Sequence, residues 1–176
     1  QNRICMTPGA NLHYTIEDLK KIEPLIKEAD VVVTRCEMQP AIVDELAKLC
    51  KKYKKKYILN PAPARQFSDE TLSTLYAITP NETELGIIVG RELKNEEDYV
   101  NASKYLISKG VQNVVVTLGS KGSLLVNATQ IERVPAMKVT AVDTVGAGDS
   151  FTGSLAAFVD EGKSVLDGMR LSTIVG

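Results

Sequence analysis

The sequence is poor in the residues and segments on which several classes of protein depend. Its 176 residues include a single histidine, His13, which argues against His-rich metal sites and Ser-His-Asp catalysis and which we expect in an ordinary loop. The three cysteines show no C-x-x-C spacing, and since Cys36 and Cys50 lie in apolar segments, we expect buried thiols in a reducing, cytoplasmic compartment. The sequence contains no signal-like segment and no apolar run long enough to span a bilayer, so we expect no membrane partner.

An excess of charge of one sign is also lacking. Lysine and arginine number 21 against 22 acidic residues, and the net charge of -1 gives no general attraction to nucleic acid or acidic membranes. The basic run 51–56 ends an apparent helix, where the helix dipole favours a solvated cluster of lysines. The sequence has no G-x-x-x-x-G-K-[ST] loop, and Phe151 stands where a dinucleotide fingerprint needs a third glycine.

Short apolar runs alternate with helical periodicities along the chain. Strands are predicted at 3–6, 31–34, 57–59, 76–79 and 114–117, followed by an antiparallel pair at 123–126 and 130–134. A turn is predicted at 8–11, and helices are predicted after Thr15, after Pro40, near Thr83, from Glu96 to Lys109 and after residue 146. This order predicts one α/β domain over residues 1–176, with a mostly parallel sheet covered by helices on both faces.

The segment 143–151, Asp-Thr-Val-Gly-Ala-Gly-Asp-Ser-Phe, carries the strongest chemical signal. Apolar residues at 151, 155, 158 and 159 predict a buried helix whose first turn contains Gly146, Ala147 and Gly148. Free backbone N–H groups and the positive end of the helix dipole would form an anion site there. Asp149 stands inside that turn and suits a general base for phosphoryl transfer. The alternative interpretation, that the glycine-rich turn merely starts a helix, stays open.

Polar segments follow four of the predicted strands. They are Cys36-Glu37, 60–64, 81–84 and 118–122. Ligands of parallel sheets bind outside the carboxyl ends of the strands, so we expect these segments and Asp149 to share one catalytic cleft.

The segments 81–84, 117–122 and 143–149 together resemble the ribokinase family of sugar kinases, also called the PfkB family. Residues 8–11 and 60–64 support the resemblance, which runs in order along essentially the whole chain. The resemblance implies a three-layer α/β/α ribokinase-like fold and, for the intact protein, ATP-dependent phosphorylation of D-ribose at its 5-hydroxyl. It also implies that the full-length protein is a homodimer.

The same resemblance implies a role for each matching residue. Asp149 would take the proton of the sugar hydroxyl, and Gly146, Ala147 and Gly148 would form the anion hole. Asn81 would contact the nucleotide phosphates, and Glu84 would organise Mg2+ through water. The residues implied in nucleotide binding also include Thr117, Leu118, Gly119, Ser120, Lys121 and Gly122. Glu37 would contact a sugar hydroxyl, and Asp143 with the carbonyl of Val145 would bind K+.

Simpler interpretations stand beside these roles. Glu84 is also compatible with a solvated acid in a first helical turn, and Asp143 with a turn-forming side chain. Lys121 fits a flexible loop lysine better than a phosphate clamp, and an acid such as Glu37 is common after a strand. Thr173 stands where the family often has Asn or His against the adenine, which leaves that contact open.

We expect a fragment, because the chain opens on Gln1, ends within an apolar helical pattern at Gly176 and lacks the part that grips the sugar and forms the lid. It would also lack the C-terminal end, so the fold would be truncated at both ends. Two other functions stay open: a related kinase for fructose, a nucleoside or another small alcohol, and a non-catalytic nucleotide-binding piece.

Overall fold

The computed structural model describes residues 7–137 and 145–175, and within these ranges six strands form one sheet. The strands are β1 (Val31–Arg35), β2 (Lys56–Asn60), β3 (Leu75–Ile78), β4 (Asn113–Thr117), β5 (Ser123–Asn127) and β6 (Ile131–Val134). They lie side by side in chain order, parallel from β1 to β4 and antiparallel from β4 to β6. The mostly parallel sheet and its antiparallel pair are therefore confirmed, whereas the strand predicted at 3–6 lies outside the described residues.

Nine α-helices occur in the same ranges. They are α1 (Ala10–His13), α2 (Ile16–Lys21), α3 (Glu23–Glu28), α4 (Pro40–Lys52), α5 (Asp69–Leu72), α6 (Glu82–Val89), α7 (Glu96–Ser108), α8 (Ala147–Asp160) and α9 (Val165–Val175). The turn predicted at 8–11 is present, since the Asn11 N–H donates to the Pro8 carbonyl at 3.0 Å. It leads directly into α1, however, so His13 ends a short helix and the prediction of a loop was wrong there.

Helices cover both faces of the sheet because alternate strand residues point to opposite sides. On one face Ile58, Ala77, Val115 and Leu125 pack with α8 and α9, while Leu59, Ile78, Val114 and Val116 belong to the core beneath the other helices. The predicted stripe of α8 is buried at Phe151, Leu155 and Val159, whereas Phe158 is only half-buried. Each fully buried apolar side chain contributes about 1.5–3 kcal/mol, so these contacts fix α8 firmly on the sheet. The predicted three-layer α/β/α architecture is confirmed.

Three contacts along α8 show its direction relative to β1 and β2. Near its end, Lys56 at the start of β2 donates to the Val159 carbonyl at 3.3 Å. In its second turn, Thr152 meets Asn60 at the end of β2, and at its start Asp149 meets Arg35 at the end of β1. The helix therefore runs antiparallel to these strands, and its N-terminus lies at their carboxyl ends.

The two cysteines in the described ranges are buried free thiols, as predicted. Burial raises the pKa of Cys36 to about 11 and that of Cys50 to about 12, so both stay protonated at neutral pH. Among the described helices, none has both the length and the apolar character that crossing a bilayer demands.

Candidate active site

Helix α8 begins with an open first turn. Its N-cap residue Gly146 has φ 83°, a left-handed conformation that suits glycine. The first hydrogen bond of the helix runs from the Ser150 N–H to the Gly146 carbonyl at 2.8 Å. The N–H groups of Ala147, Gly148 and Asp149 thus have no acceptor inside the helix, and they lie at the positive end of its dipole. Backbone and dipole together make this turn suited to an anion.

The start of α8 opens onto a cleft of about 160 Å³. Its lining comes from the carboxyl ends of β1 to β4, the segments that follow them, and α8. The lining residues are Arg35, Asn60, Ala62, Thr79, Asn81, Glu84, Thr117, Gly146, Gly148 and Asp149. Of the four polar segments predicted to share the cleft, the structure brings those after β2 and β3 together with the acid-containing turn, whereas Cys36-Glu37 and 118–122 are not among the lining residues.

Asp149 forms an ion pair that the sequence did not reveal. Its Oδ2 accepts a hydrogen bond from Nη1 of Arg35 at 2.8 Å, and the same Nη1 lies 3.3 Å from Oε1 of Glu37. The Arg35 and Asp149 side chains are 39% and 50% exposed, so the pair lies at the surface of the cleft. Glu37 itself lies beside the cleft, where its Oε2 accepts from Asn11 at 3.4 Å. The sequence did contain one signal that Arg35 could belong to the site. It ends β1, two residues before Glu37, and so lies at the edge of the sheet where the site was expected.

Asn81 and Glu84 form a reciprocal cap at the start of α6. The Glu84 N–H donates to Oδ1 of Asn81 and the Asn81 N–H donates to Oε2 of Glu84, both at 2.8 Å. Burial raises the pKa of the Glu84 carboxyl, and the Asn81 N–H and the Arg35 charge oppose that change only in part. The two side chains thus cap a helix while they line the cleft, and their roles in phosphate and Mg2+ binding stay predictions.

The segment 117–122 meets the cleft only at Thr117, whose N–H donates to the Pro80 carbonyl at 2.9 Å. Leu118 is buried in the core, so its side chain does not face the cleft. A single 3-10 turn, Gly119–Lys121, follows it and includes Ser120. Gly122 has φ 96°, and a Cβ there would collide with the carbonyl oxygen of Val134. The exposed Lys121 ammonium lies 3.7 Å from Oε1 of Glu82.

Thr173, at the position that left the adenine contact open, and Val145, predicted for K+, are not among the residues that line the cleft. The Thr173 hydroxyl bonds to Ser123 Oγ at 2.7 Å and to the Met169 carbonyl at 2.8 Å, so it joins α9 to β5. Val145 is 77% exposed, and the K+ prediction for its backbone carbonyl stays a prediction. Asp143 lies outside the described residues.

A buried network of side chains holds α8 against the sheet. Thr152 shares a hydrogen bond of 2.9 Å with Thr79 and accepts one of 3.3 Å from Asn60. All three residues are buried, and Asn60 and Thr79 line the cleft as well. Thr152 lies one turn after Asp149, so this network fixes where the carboxylate stands. Sequence reasoning missed Thr152, because it belongs to no motif and simply follows Phe151 of the apolar stripe.

A profile described as "pfkB family carbohydrate kinase" matches residues 1–176. The ribokinase of Haemophilus influenzae is 35% identical over 170 residues, covering 97% of this chain and 56% of that relative. The deoxyribokinase of Salmonella typhi is 33% identical over 174 residues, covering 98% of this chain and 57% of that relative. The chain thus spans little more than half the length of these curated relatives.

Solved structures give the same result for the fold. The ribokinase from Thermotoga maritima superposes with a TM-score of 0.86 at 34% identity, and Arabidopsis thaliana ribokinase complexed with ribose and ATP superposes with a TM-score of 0.86 at 30% identity. Each alignment covers 98% of this chain and 57% of the solved chain. Profile, relatives and superpositions agree on the fold and on the family: the chain belongs to the pfkB family of carbohydrate kinases.

Proposed function

We propose that the protein containing this chain transfers the γ-phosphoryl group of ATP to the 5-hydroxyl of D-ribose. The observation that carries the proposal is the position of Asp149, directly after the open amides of Ala147 and Gly148 in a cleft that also holds Asn81 and Glu84. The likeness to ribokinases, one of them solved with ribose and ATP, supports the choice of sugar. Since the chain spans 56% of the length of a relative, the activity is proposed for the whole protein.

The proposed step is an in-line transfer. The oxygen of the sugar hydroxyl bonds to the γ-phosphorus, and the bond between that phosphorus and the β–γ bridging oxygen breaks, leaving its electron pair on ADP. The carboxylate of Asp149 takes the hydroxyl proton and later releases it to water. The amides of Ala147 and Gly148 donate to the phosphoryl oxygens, where negative charge is concentrated in the transition state.

The residues around Glu84 fit a magnesium ion held mainly by substrate. Across residues 7–137 and 145–175 no cluster of three or more His, Cys, Asp or Glu side chains could hold a metal by itself. Mg2+ characteristically uses one or two carboxylates, several waters and substrate phosphates, and Glu84 supplies one carboxylate facing the cleft. When bound, the ion would neutralise charge on the β- and γ-phosphates. Asn81 and the loop 117–122 would hold the nucleotide, and K+ at Asp143 and Val145 stays a prediction.

Deoxyribose is the second candidate acceptor. The deoxyribokinase of Salmonella typhi is nearly as similar to this chain as the ribokinases are, at 33% identity. The described residues that would hold the phosphate side of the reaction are the same for both sugars. A third possibility, of another class, is that this chain alone binds nucleotide without turnover, since it spans about half of its relatives.

ADP release with a panel of acceptors tests the proposal. The whole protein is incubated with Mg-ATP and ribose, 2-deoxyribose, fructose or adenosine, and phosphorus NMR identifies the phosphorylated oxygen. We expect ribose to give the highest kcat/KM and ribose 5-phosphate as the product; a higher value for another acceptor, or phosphate on another oxygen, would contradict the assignment. A parallel assay of the 176-residue chain decides whether it turns over by itself, and light scattering tests the proposed homodimer.

A further inference from the structure

Arg35 is the only cationic side chain among the described residues that line the cleft. Two carboxylates, Asp149 and Glu84, share the lining, and Glu37 lies within 3.3 Å of the guanidinium. A site that receives the triphosphate of ATP therefore contains more fixed negative than positive side-chain charge. Among the described side chains that line the cleft, Arg35 is the one that could meet an incoming phosphoryl group with opposite charge.

The guanidinium uses little of its bonding capacity in this arrangement. Its contacts with Asp149 and Glu37 both engage Nη1, and Nε is buried without a hydrogen-bond partner in the part of the chain that is described. The N–H bonds of Nε and Nη2 lie on the same edge of the guanidinium, where they form the fork that matches two oxygens of a phosphate. A buried charged donor without an acceptor is unfavourable, so a shift that gives Nε an oxygen would be favoured.

The ion pair with Asp149 is suited to exchange. Both side chains are substantially exposed, at 39% and 50%, and pairs of this kind contribute little to stability because water competes with them. The pair also occupies Oδ2 of Asp149, while the proposed reaction needs that carboxylate to receive the acceptor hydroxyl. Because the carboxylate can accept on either oxygen, the pair does not block the reaction, but departure of Arg35 when the substrates bind would leave both oxygens of Asp149 available to the hydroxyl.

We propose that Arg35 exchanges its partner during the reaction: it holds Asp149 in the empty cleft and moves to the oxygens of the transferring phosphoryl group when nucleotide binds. This inference rests on the proposed function. The nucleotide thereby frees the carboxylate that accepts the hydroxyl proton, and the guanidinium disperses the charge of the group in transfer. Arg35 is a catalytic residue in this proposal, because it touches the reacting group.

Arg35→Gln and Arg35→Lys in the whole protein test the exchange, with Arg170→Gln as a matched control at an exposed pair on α9. We expect Arg35→Gln to lower kcat about 100-fold or more and Arg35→Lys to lose less, since arginines of this kind contribute about 10³–10⁵-fold. Calorimetry with Mg-AMP-PNP and with Mg-ADP should show that Arg35→Gln raises the dissociation constant of the triphosphate analogue by a factor at least ten times larger than that of the diphosphate. If the role of Arg35 were purely structural, Arg35→Gln would weaken the binding of both nucleotides equally.

Either of two results would overturn the inference. One is an active wild-type protein in which Arg35→Gln changes neither kcat nor the ratio of AMP-PNP to ADP affinity. Another is an effect confined to the KM of acidic acceptors such as sugar acids, which would assign the guanidinium to the acceptor. The nucleotide titrations need no turnover, so they decide for Arg35 even if no sugar is phosphorylated and the proposed function fails. If Arg35→Gln does not fold, Arg35→Lys is measured in its place.

Discussion

Asp149→Asn separates the chemistry of the cleft from its architecture. The substitution keeps the size of the side chain and leaves the backbone of Gly146, Ala147 and Gly148 unchanged, but it removes the proposed proton acceptor. The pair with Arg35 has 39% and 50% exposed side chains and contributes about 0–1 kcal/mol. The interaction of the charge with the helix dipole adds about 0.3–1 kcal/mol. The free energy of unfolding should therefore fall by no more than about 2 kcal/mol.

Turnover should fall far more than stability. A positioned general base contributes about 10²–10⁴-fold. At 1.36 kcal/mol for each factor of ten, that loss raises the barrier by about 3 to 5 kcal/mol. ATP binding should persist, because the open amides at the start of α8 remain. The measurements are kcat from ADP release, the nucleotide dissociation constant from calorimetry and the unfolding midpoint in urea, all on the whole protein.

The matched control is Asp160→Asn, the same change at the exposed far end of α8, which should keep normal turnover. A variant at Asp149 that retains more than about a tenth of wild-type kcat would refute the assignment of the base, since even the weakest expected effect is about 10²-fold. Loss of nucleotide binding together with turnover would instead indicate that the carboxylate shapes the anion site.

Three further changes test the surroundings of the cleft. Thr152→Val should cost about 1–3 kcal/mol in urea unfolding by leaving buried polar partners unpaired, and it should lower kcat, whereas Thr152→Ser should retain both. Burial raises the pKa of Glu84 above its ordinary value, so the folded protein favours the protonated carboxyl. The resulting contribution to the free energy of unfolding is present at low pH and is lost as the pH rises through the folded pKa. Glu84→Gln, which keeps an acceptor for the cap, should therefore gain unfolding free energy relative to wild type between pH 4.5 and 8, and an unchanged difference would contradict the burial argument. Gly122→Ala should lower the free energy of unfolding by more than about 2 kcal/mol, because residue 122 has φ 96° and the new Cβ would collide with the Val134 carbonyl. Gly153→Ala, in open space within α8, should raise it by about 0.5–1 kcal/mol. Thermal unfolding measures both changes.

The local patterns of the sequence were sufficient for the layers of the fold and for the acid-containing turn. Val114–Val116 is a continuous apolar run, and such a run predicts a strand buried on both faces, as β4 is. The glycines at 146 and 148 with Asp149 define a helix start through bonds between near neighbours, which a short window of sequence contains. The convergence of the segments after β2 and β3 followed from a general property of parallel sheets.

Arg35 escaped sequence reasoning because its partner is far away along the chain. It bonds to a carboxylate 114 positions later, and no local pattern encodes that distance. Leu118 and Thr173 show the converse: both belong to segments typical of nucleotide binding, yet one side chain is buried in the core and the other bonds to Ser123. Which face a side chain takes depends on packing between elements, which periodicity alone does not determine.

The direction of α8 turns two separate local patterns into one site. A helix N-terminus attracts anions wherever it lies, and a strand end presents polar residues on any parallel sheet. Here the buried Thr152 holds α8 at the strand ends through Asn60 and Thr79, so the open amides and the polar strand ends face the same cleft. A shift of α8 by one turn would move Asp149 by about 5.4 Å and separate it from Arg35 without breaking either local pattern. The position of Asp149 in the cleft therefore depends on the hydroxyl of Thr152, which is why Thr152→Val is expected to affect kcat as well as stability.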